Sequence, residues 1–214
     1  MSIRGFVQYI LFPDCACWLC RRDAVLGDDH LCDTCRPLLK KPCPAPAAPP
    51  PLSGLVAGLA YEEPASALIH SFKYNGRIHL AKLFAHTMSI PAEWPCDCLV
   101  PVPLHPLKRW LRGFNQSEEL CRALQENAPL PLRPDLLRRT RFTSAQAKLD
   151  HAARQTNVRD AFVAAPAAAG LSILLVDDVT TTHATLIACA NALKKAGATH
   201  VYAACACYAP TSPA

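Results

Sequence analysis

The stretch ILLVDDVTTTHAT, Ile173 to Thr185, decides how this chain is read. Four apolar residues, Ile173 to Val176, run into two adjacent carboxylates, Asp177 and Asp178. A hydroxyl-rich turn follows, Thr180-Thr181-Thr182-His183-Ala184-Thr185. A helix is expected from there to about Ala196, with Gly197 as its stop. Strand, acidic pair, tight turn and helix make half of a βαβ unit. Its polar residues fall at the carboxyl end of the strand, where open parallel sheets bind their ligands.

Unpaired N–H groups and the dipole at the start of that helix favour a phosphate. Thr181, Thr182 and Thr185 add hydroxyl donors. Phosphate alone does not call for Asp177 and Asp178. Two carboxylates just before a phosphate cradle suit the vicinal hydroxyls of a sugar, reached directly or through Mg²⁺. The stretch therefore reads as a sugar-phosphate site, with a 5′-phosphate in the loop and ribose hydroxyls on the acidic pair. The plainer alternative is a strand-to-helix turn with surface Asp and capping Thr.

These residues resemble the motif with which type I phosphoribosyltransferases bind phosphoribosyl pyrophosphate (PRPP). The resemblance makes Asp177 and Asp178 the catalytic carboxylates, and puts the 5′-phosphate on Thr181, Thr182, His183, Ala184 and Thr185. One residue departs from it: His183 stands where that family usually has Gly. Among non-glycine residues His is one of the few enriched at positive φ. The loop is therefore expected to keep its shape, with the imidazole either covering the phosphate site or, if protonated, contacting it.

At the other end lie Cys17-Trp-Leu-Cys20 and Cys32-Asp-Thr-Cys35, eleven residues apart. Two such knuckles supply four thiolates to a tetrahedral Zn²⁺. Four protein ligands leave no open position, so the zinc reads as structural. Unrelated buried cysteines or disulfides are the alternative. The apolar part of MSIRGFVQYILF is short and broken by Gln8, so no secretory signal is read and a cytoplasmic location is expected. That location argues against disulfides. Cys15 and Cys43 are taken as spare thiols, and Trp18 as a shield for the metal. Cys189, Cys205 and Cys207 read as small hydrophobes.

The 214 residues suffice for one full domain and a small module. Residues 1–40 hold a helix with apolar spacing at Phe6, Val7, Ile10 and Leu11, followed by the cysteine module. Residues 41–52 contain six prolines and read as a stiff linker. Residues 53–210 read as one α/β domain. Strands are expected at Gly54 to Tyr61, Cys98 to Val102, Leu171 to Val176 and His200 to Cys207. Helices are expected at Pro64 to Phe72, Ile78 to Met88 and Asn115 to about Glu126, the last with Asn115 and Glu118 in capping-box positions. Prolines in the second strand mark an irregularity or an edge. Strands alternating with helices argue for a parallel sheet. No segment approaches transmembrane length, and no membrane partner is expected.

The chain carries a net charge of +5. Residues 104–160 hold eleven Lys plus Arg against six Asp plus Glu, so the whole excess lies in that quarter. Such a patch suits pyrophosphate, a nucleotide or a nucleic-acid backbone, or is simply a solvated face. Within it VPVPLHPLKRWLRGFNQS, Val100 to Ser117, resembles the strand and loop that hold pyrophosphate in phosphoribosyltransferases. There Arg109 and Arg112 would supply charge and Gly113 close backbone approach. His105 either lines that site or packs the loop. Tyr74 and Phe114 are candidates for stacking on a base or for the core.

Phe72-Lys73-Tyr74 with Gly76, CWLCR, and the series Arg141, Gln146, Leu149, Arg154, Asn157, Val158, Ala161, Phe162 complete a wider pattern. It resembles the ComF/GntX family of phosphoribosyltransferase-like competence proteins, over about residues 12 to 208. The resemblance implies a type I phosphoribosyltransferase-like parallel sheet with helices on both faces, plus a small N-terminal zinc module. It further implies PRPP or a nucleotide as ligand, Mg²⁺ with PRPP, structural zinc, and single-stranded DNA with competence or recombination proteins as partners. Lys73, Arg109, Arg112, Arg141 and Arg154 are the residues expected to meet DNA. No segment declares an acceptor, so a transferase and a binding module both stay open.

Overall fold

A computed structural model describes residues 16–43, 45–126, 129–140 and 161–210. The N-terminal helical pattern, Cys15, Arg141, Gln146, Leu149, Arg154, Asn157 and Val158 lie outside the described residues. In chain order the elements are β1 (Gly54–Ala60), α1 (Ala65–Tyr74), α2 (Leu80–Thr87), β2 (Cys98–Pro101), α3 (Pro106–Arg112) and α4 (Gln116–Gln125). They continue with β3 (Leu137–Arg139), β4 (Phe162–Ala164), β5 (Ser172–Thr180), α5 (Ala184–Lys195) and β6 (His200–Tyr208).

The central sheet has the order β1-β6-β5-β2, and every pairing in it is parallel. Both faces are covered, which is why β6 needs no polar face: Val201 to Cys207 are all buried. Alternation of side chains along each strand divides the core in two. Ile173, Leu175, Val201, Ala203 and Cys205 pack with Leu186, Cys189, Ala190 and Leu193 of α5. Leu174, Val176, Tyr202, Ala204 and Ala206 pack with α1, α2 and α4. β3 and β4 form a separate antiparallel pair against α5. On β1, a Cβ at Gly58 would lie 2.3 Å from Thr87 Oγ1, so only glycine lets the end of α2 sit this close to the strand.

The structure differs from the sequence reading at three places. β5 does not end at Val176; it runs on through both aspartates to Thr180, because β6 continues beside it as far as Tyr208. The stretch after β2, read as a loop, contains α3. Its signals were present: His105 is the N-cap and accepts from Leu107 N at 3.2 Å, Pro106 opens the helix, and Gly113 closes it at φ +81. At α4, Asn115 caps by accepting from Ser117 N at 3.3 Å. Glu118 does not complete a capping box; its carboxylate is taken by Arg109 and Arg122.

The cysteine segment packs against the α/β core. Cys17, Trp18, Leu31 and Cys35 share one hydrophobic cluster with α1, α2 and α4. Trp18 is sandwiched between His30, stacked at 3.9 Å, and the edge of His79 at 5.0 Å. Arg77 donates to the Trp18 carbonyl at 2.7 Å. Asp29, itself buried, holds the second knuckle by accepting from Leu31 N at 3.0 Å and from Arg36 Nε at 2.7 Å. Where the Pro-rich stretch begins, Lys40 O accepts from Ala60 N at 2.8 Å and Lys41 Nζ donates to Thr87 O at 2.6 Å.

His79 sits in this junction. Burial, and then the charges of Arg77, His30 and Arg21, push its pKa from 6.5 down to about 4. Protonation therefore favours the unfolded chain. The stability of the neutral ring is present above about pH 6.5 and is lost as pH falls toward 4; its ceiling is about 3 kcal/mol. Chemical denaturation at pH 7 and pH 5 should show a smaller loss for His79→Gln than for wild type. Equal losses would remove His79 from the acid response.

Candidate functional site

β2 pairs with β5 only as far as Pro101 opposite Val176, with Val102 N donating to Val176 O at 2.9 Å. Beyond that point Val102 O accepts from the Asn115 side chain at 3.1 Å and Asp178 N turns to its neighbour's carboxylate, so the ladder goes no further. Asp177 and Asp178 thus have β6 on one side and the gap beyond β2 on the other. As neighbours on a strand they point to opposite faces. Asp178 Oδ2 lies 3.0 Å from Lys73 Nζ, on the last turn of α1. Asp177 Oδ1 accepts from Ser117 Oγ at 3.1 Å, at the start of α4, and from Asp178 N at 2.9 Å.

Charge is unevenly compensated here. Burial, and then the charge of Asp178, raise the Asp177 pKa to about 7 despite the hydrogen bonds and Lys73. For Lys73, burial opposes the charge, but Asp178 outweighs it and raises the pKa. One ammonium cannot fully balance two half-buried carboxylates. A divalent cation or a ligand with hydroxyl donors would do so.

Cations gather around the pair. The Arg112 guanidinium lies 4.8 Å over the Tyr74 ring and donates to Tyr74 Oη and Gln116 Oε1, each at 2.9 Å. Lys108 is held below its ordinary pKa by burial and by the charges of Arg139, Arg112 and Lys73. Arg139 is held down by burial, with Cys189 and Asp177 acting the other way. Lys73, Lys108, Arg112 and Arg139 therefore form one positive cluster that includes the acidic pair in its field. Arg109, which the sequence grouped with Arg112, is directed elsewhere: its Nη2 lies 3.3 Å from Glu118 Oε2. Lys108 and Arg139 were missed as individuals; the only sequence signal was the basic excess of the segment.

The threonine turn leads into α5, with Thr181 exposed and Thr182, Ala184 and Thr185 half-buried. His183 is the N-cap residue at φ +61, a left-handed conformation. Its ring does not project outward. His183 Nδ1 lies 2.9 Å from Thr180 Oγ1, and the ring stacks on Tyr208 at 5.5 Å. Burial lowers its pKa, which favours a neutral imidazole. Of the two aromatic candidates, Phe114 packs on Phe72 at 6.0 Å in the core, and Tyr74 is 58% exposed but carries Arg112. Gly113 has open space where a Cβ would be.

The sulfurs of Cys17, Cys20, Cys32 and Cys35 all lie within 4.8 Å of one another, with Cys20 and Cys32 at 3.9 Å. Tetrahedral zinc with bonds of about 2.3 Å needs sulfurs about 3.8 Å apart, so a small contraction closes the set. Cys17 Sγ already accepts from Cys32 N at 3.4 Å. These four residues can hold a zinc ion.

Two measurements follow. Elemental analysis of protein purified without chelator should find one zinc per chain. Cys35→Ser should lose that zinc and lower the melting temperature of the whole protein, because Cys35 belongs to the shared core; a zinc-free wild type would contradict the assignment. His183→Gly should shift the melting temperature by only a few degrees, since relief of a positive φ of about 1 kcal/mol offsets the lost stacking on Tyr208 and the lost hydrogen bond to Thr180. A large destabilisation would make the imidazole a structural strut of the loop.

The chain matches no protein-family model. It is 32% identical to DNA utilization protein YhgH of Salmonella typhimurium, over 89% of this chain and 96% of that protein. The Escherichia coli K12 protein of the same name is 31% identical over the same shares. Competence protein F of Haemophilus influenzae is 29% identical over 64% of this chain and 65% of its own length. Among solved structures, the glutamine PRPP amidotransferase from B. subtilis, complexed with ADP and GMP, aligns with a TM-score of 0.40 and 20% identity. That alignment covers 61% of this chain and only 26% of the amidotransferase. Relatedness of this extent to YhgH, end to end in that protein, places the chain in the ComF/GntX family of phosphoribosyltransferase-like proteins.

Proposed function

We propose that this protein binds PRPP, or a nucleotide with the same ribose 5′-phosphate, at the carboxyl end of β5, and that it serves the handling of single-stranded DNA in DNA uptake or utilization. The observation that carries the first part is the partly compensated acidic pair inside a cluster of four cations. Asp177 and Asp178 would take the ribose hydroxyls, with Mg²⁺ able to supply the missing positive charge. Thr181, Thr182 and Thr185 with the first amides of α5 would take the 5′-phosphate. Lys73, Lys108 and Arg112 would take the pyrophosphate. The second part is supported by the names of the relatives and by the basic excess of residues 104–160.

A transferase reading shares this site and is favoured by one feature: the cations lie beside the carboxylates, where a leaving pyrophosphate would need them. The two readings differ in whether pyrophosphate is released, which a pyrophosphate assay with PRPP and a panel of bases decides.

Asp177→Asn with Asp178→Asn should weaken PRPP binding by about 100-fold or more while leaving the chain folded, because hydrogen bonds to charged groups at two positions are lost. Calorimetric titration of the folded double variant checks this. Unchanged affinity would contradict the ribose assignment.

A further inference from the structure

Asn115, Gln116 and Ser117 open α4 as buried residues, Gln116 to 1% exposure. Polar side chains in such a place are hydrogen-bonded as a rule. Asn115 Nδ2 donates to Val102 O at 3.1 Å, and its Oδ1 accepts from Ser117 N. Ser117 Oγ donates to Asp177 Oδ1 at 3.1 Å. Gln116 uses only one end of its carboxamide. Its Oε1 accepts from Arg112 Nη1 at 2.9 Å, while its Nε2 meets no acceptor among the described residues. Exchanging the two ends would set an NH₂ group against a guanidinium, donor to donor, so Arg112 fixes which end is which.

The surroundings offer this donor little. Arg112 donates to Gln116 and to Tyr74, and a guanidinium accepts nothing. Its charge is felt at Lys73 and Lys108, so the carboxamide lies on the cationic side of the acidic pair. The carboxylates are engaged elsewhere: Asp177 Oδ1 by Ser117 Oγ and Asp178 N, Asp178 Oδ2 by Lys73. The amide is also held in place. Its neighbours on α4 are tied to the end of β2 and to Asp177, and Arg112 holds its oxygen. An unmade hydrogen bond at a buried amide costs stability. A fixed, buried donor set among cations is complemented by an anionic oxygen brought from outside the chain.

We propose that Gln116 is a ligand-binding residue, whose Nε2 donates to a phosphate oxygen of the bound anion while Arg112 holds the carboxamide in register. This rests on the reading of the acidic pair as a sugar-phosphate site, and it adds a neutral donor of fixed direction to the cations that would take the pyrophosphate. Point charges attract any anion. A fixed N–H selects the one whose oxygen falls within its reach.

The test uses the full chain, with inorganic pyrophosphate, PRPP and ribose 5-phosphate as separate probes in calorimetry. Gln116→Met keeps the length of the side chain and removes both polar atoms. It should weaken pyrophosphate and PRPP by about tenfold or more and leave ribose 5-phosphate within about twofold. The melting temperature should stay within a few degrees of wild type, since the donor removed makes no bond in the free protein. In wild type the Gln116 side-chain amide resonance, identified by its loss in Gln116→Met or Gln116→Glu, should shift on saturation with pyrophosphate. A folded Gln116→Met that binds pyrophosphate as wild type does, an amide that stays unmoved, or an equal loss for ribose 5-phosphate overturns the inference while PRPP binding by wild type stands. Pyrophosphate binding that depends on Gln116, in a protein that takes neither PRPP nor ribose 5-phosphate, would sink the sugar-phosphate reading and keep the role of Gln116. Wild type that binds none of these probes overturns both.

Discussion

The end of the β2–β5 ladder is the constraint on which the rest of this structure turns. Pairing stops at Val176, because the next acceptor, Val102 O, is taken by Asn115 Nδ2 and the next donor, Asp178 N, turns to Asp177 Oδ1. β5 is nine residues long and continues, bonded to β6 alone, through Asp177 to Thr180. A longer β2 would cover the strand edge where Asp177 meets Ser117. With Asn115, at the start of α4, holding the end of β2, the two carboxylates stand at an open sheet end instead.

Electrostatics then separates the carboxylates into two roles. Asp178 has a cation within bonding distance and Lys73 is raised by it. Asp177 has a hydroxyl and an amide, and its pKa moves up to about 7. Lys108 is depressed by burial first and by the charges of Arg139, Arg112 and Lys73 second. Such partly compensated charge is the basis on which a ligand with both hydroxyl donors and anionic groups is proposed here.

Most of the fold was legible because it rests on short-range rules. Apolar runs, Asn115 as a cap, Gly197 at φ +94 after α5, and the CxxC spacing each state a local geometry, and each is found. Prolines in β2 announced an irregularity or an edge, and β2 is the outer strand of the named sheet, bridged beyond only at Leu132. The extent of β5 was not legible, since aspartates inside a strand are disfavoured and only pairing with β6 keeps them there. α3 was passed over because seven residues with three cations and Leu107, Trp110 and Leu111 all exposed show no core-facing stripe. The acidic pair and threonine turn were visible as a unit, as was the positive φ of His183. The partners Lys73, Ser117, Lys108 and Arg139 come from four separate segments, and no spacing rule joins them. Nor could the sequence show that Trp18 and Cys35 share a core with α1 and α2, because the six-proline stretch hides the return of the chain.

The central claim is that the carboxyl end of β5 is a sugar-phosphate site in the protein as it stands. Calorimetric titration of PRPP into the wild-type chain, with and without Mg²⁺, tests it most directly. The account expects saturable binding at one site per chain, tighter with Mg²⁺ because the cation supplies the charge that Lys73 alone does not. A folded, zinc-loaded protein that shows no saturable binding under either condition would contradict it.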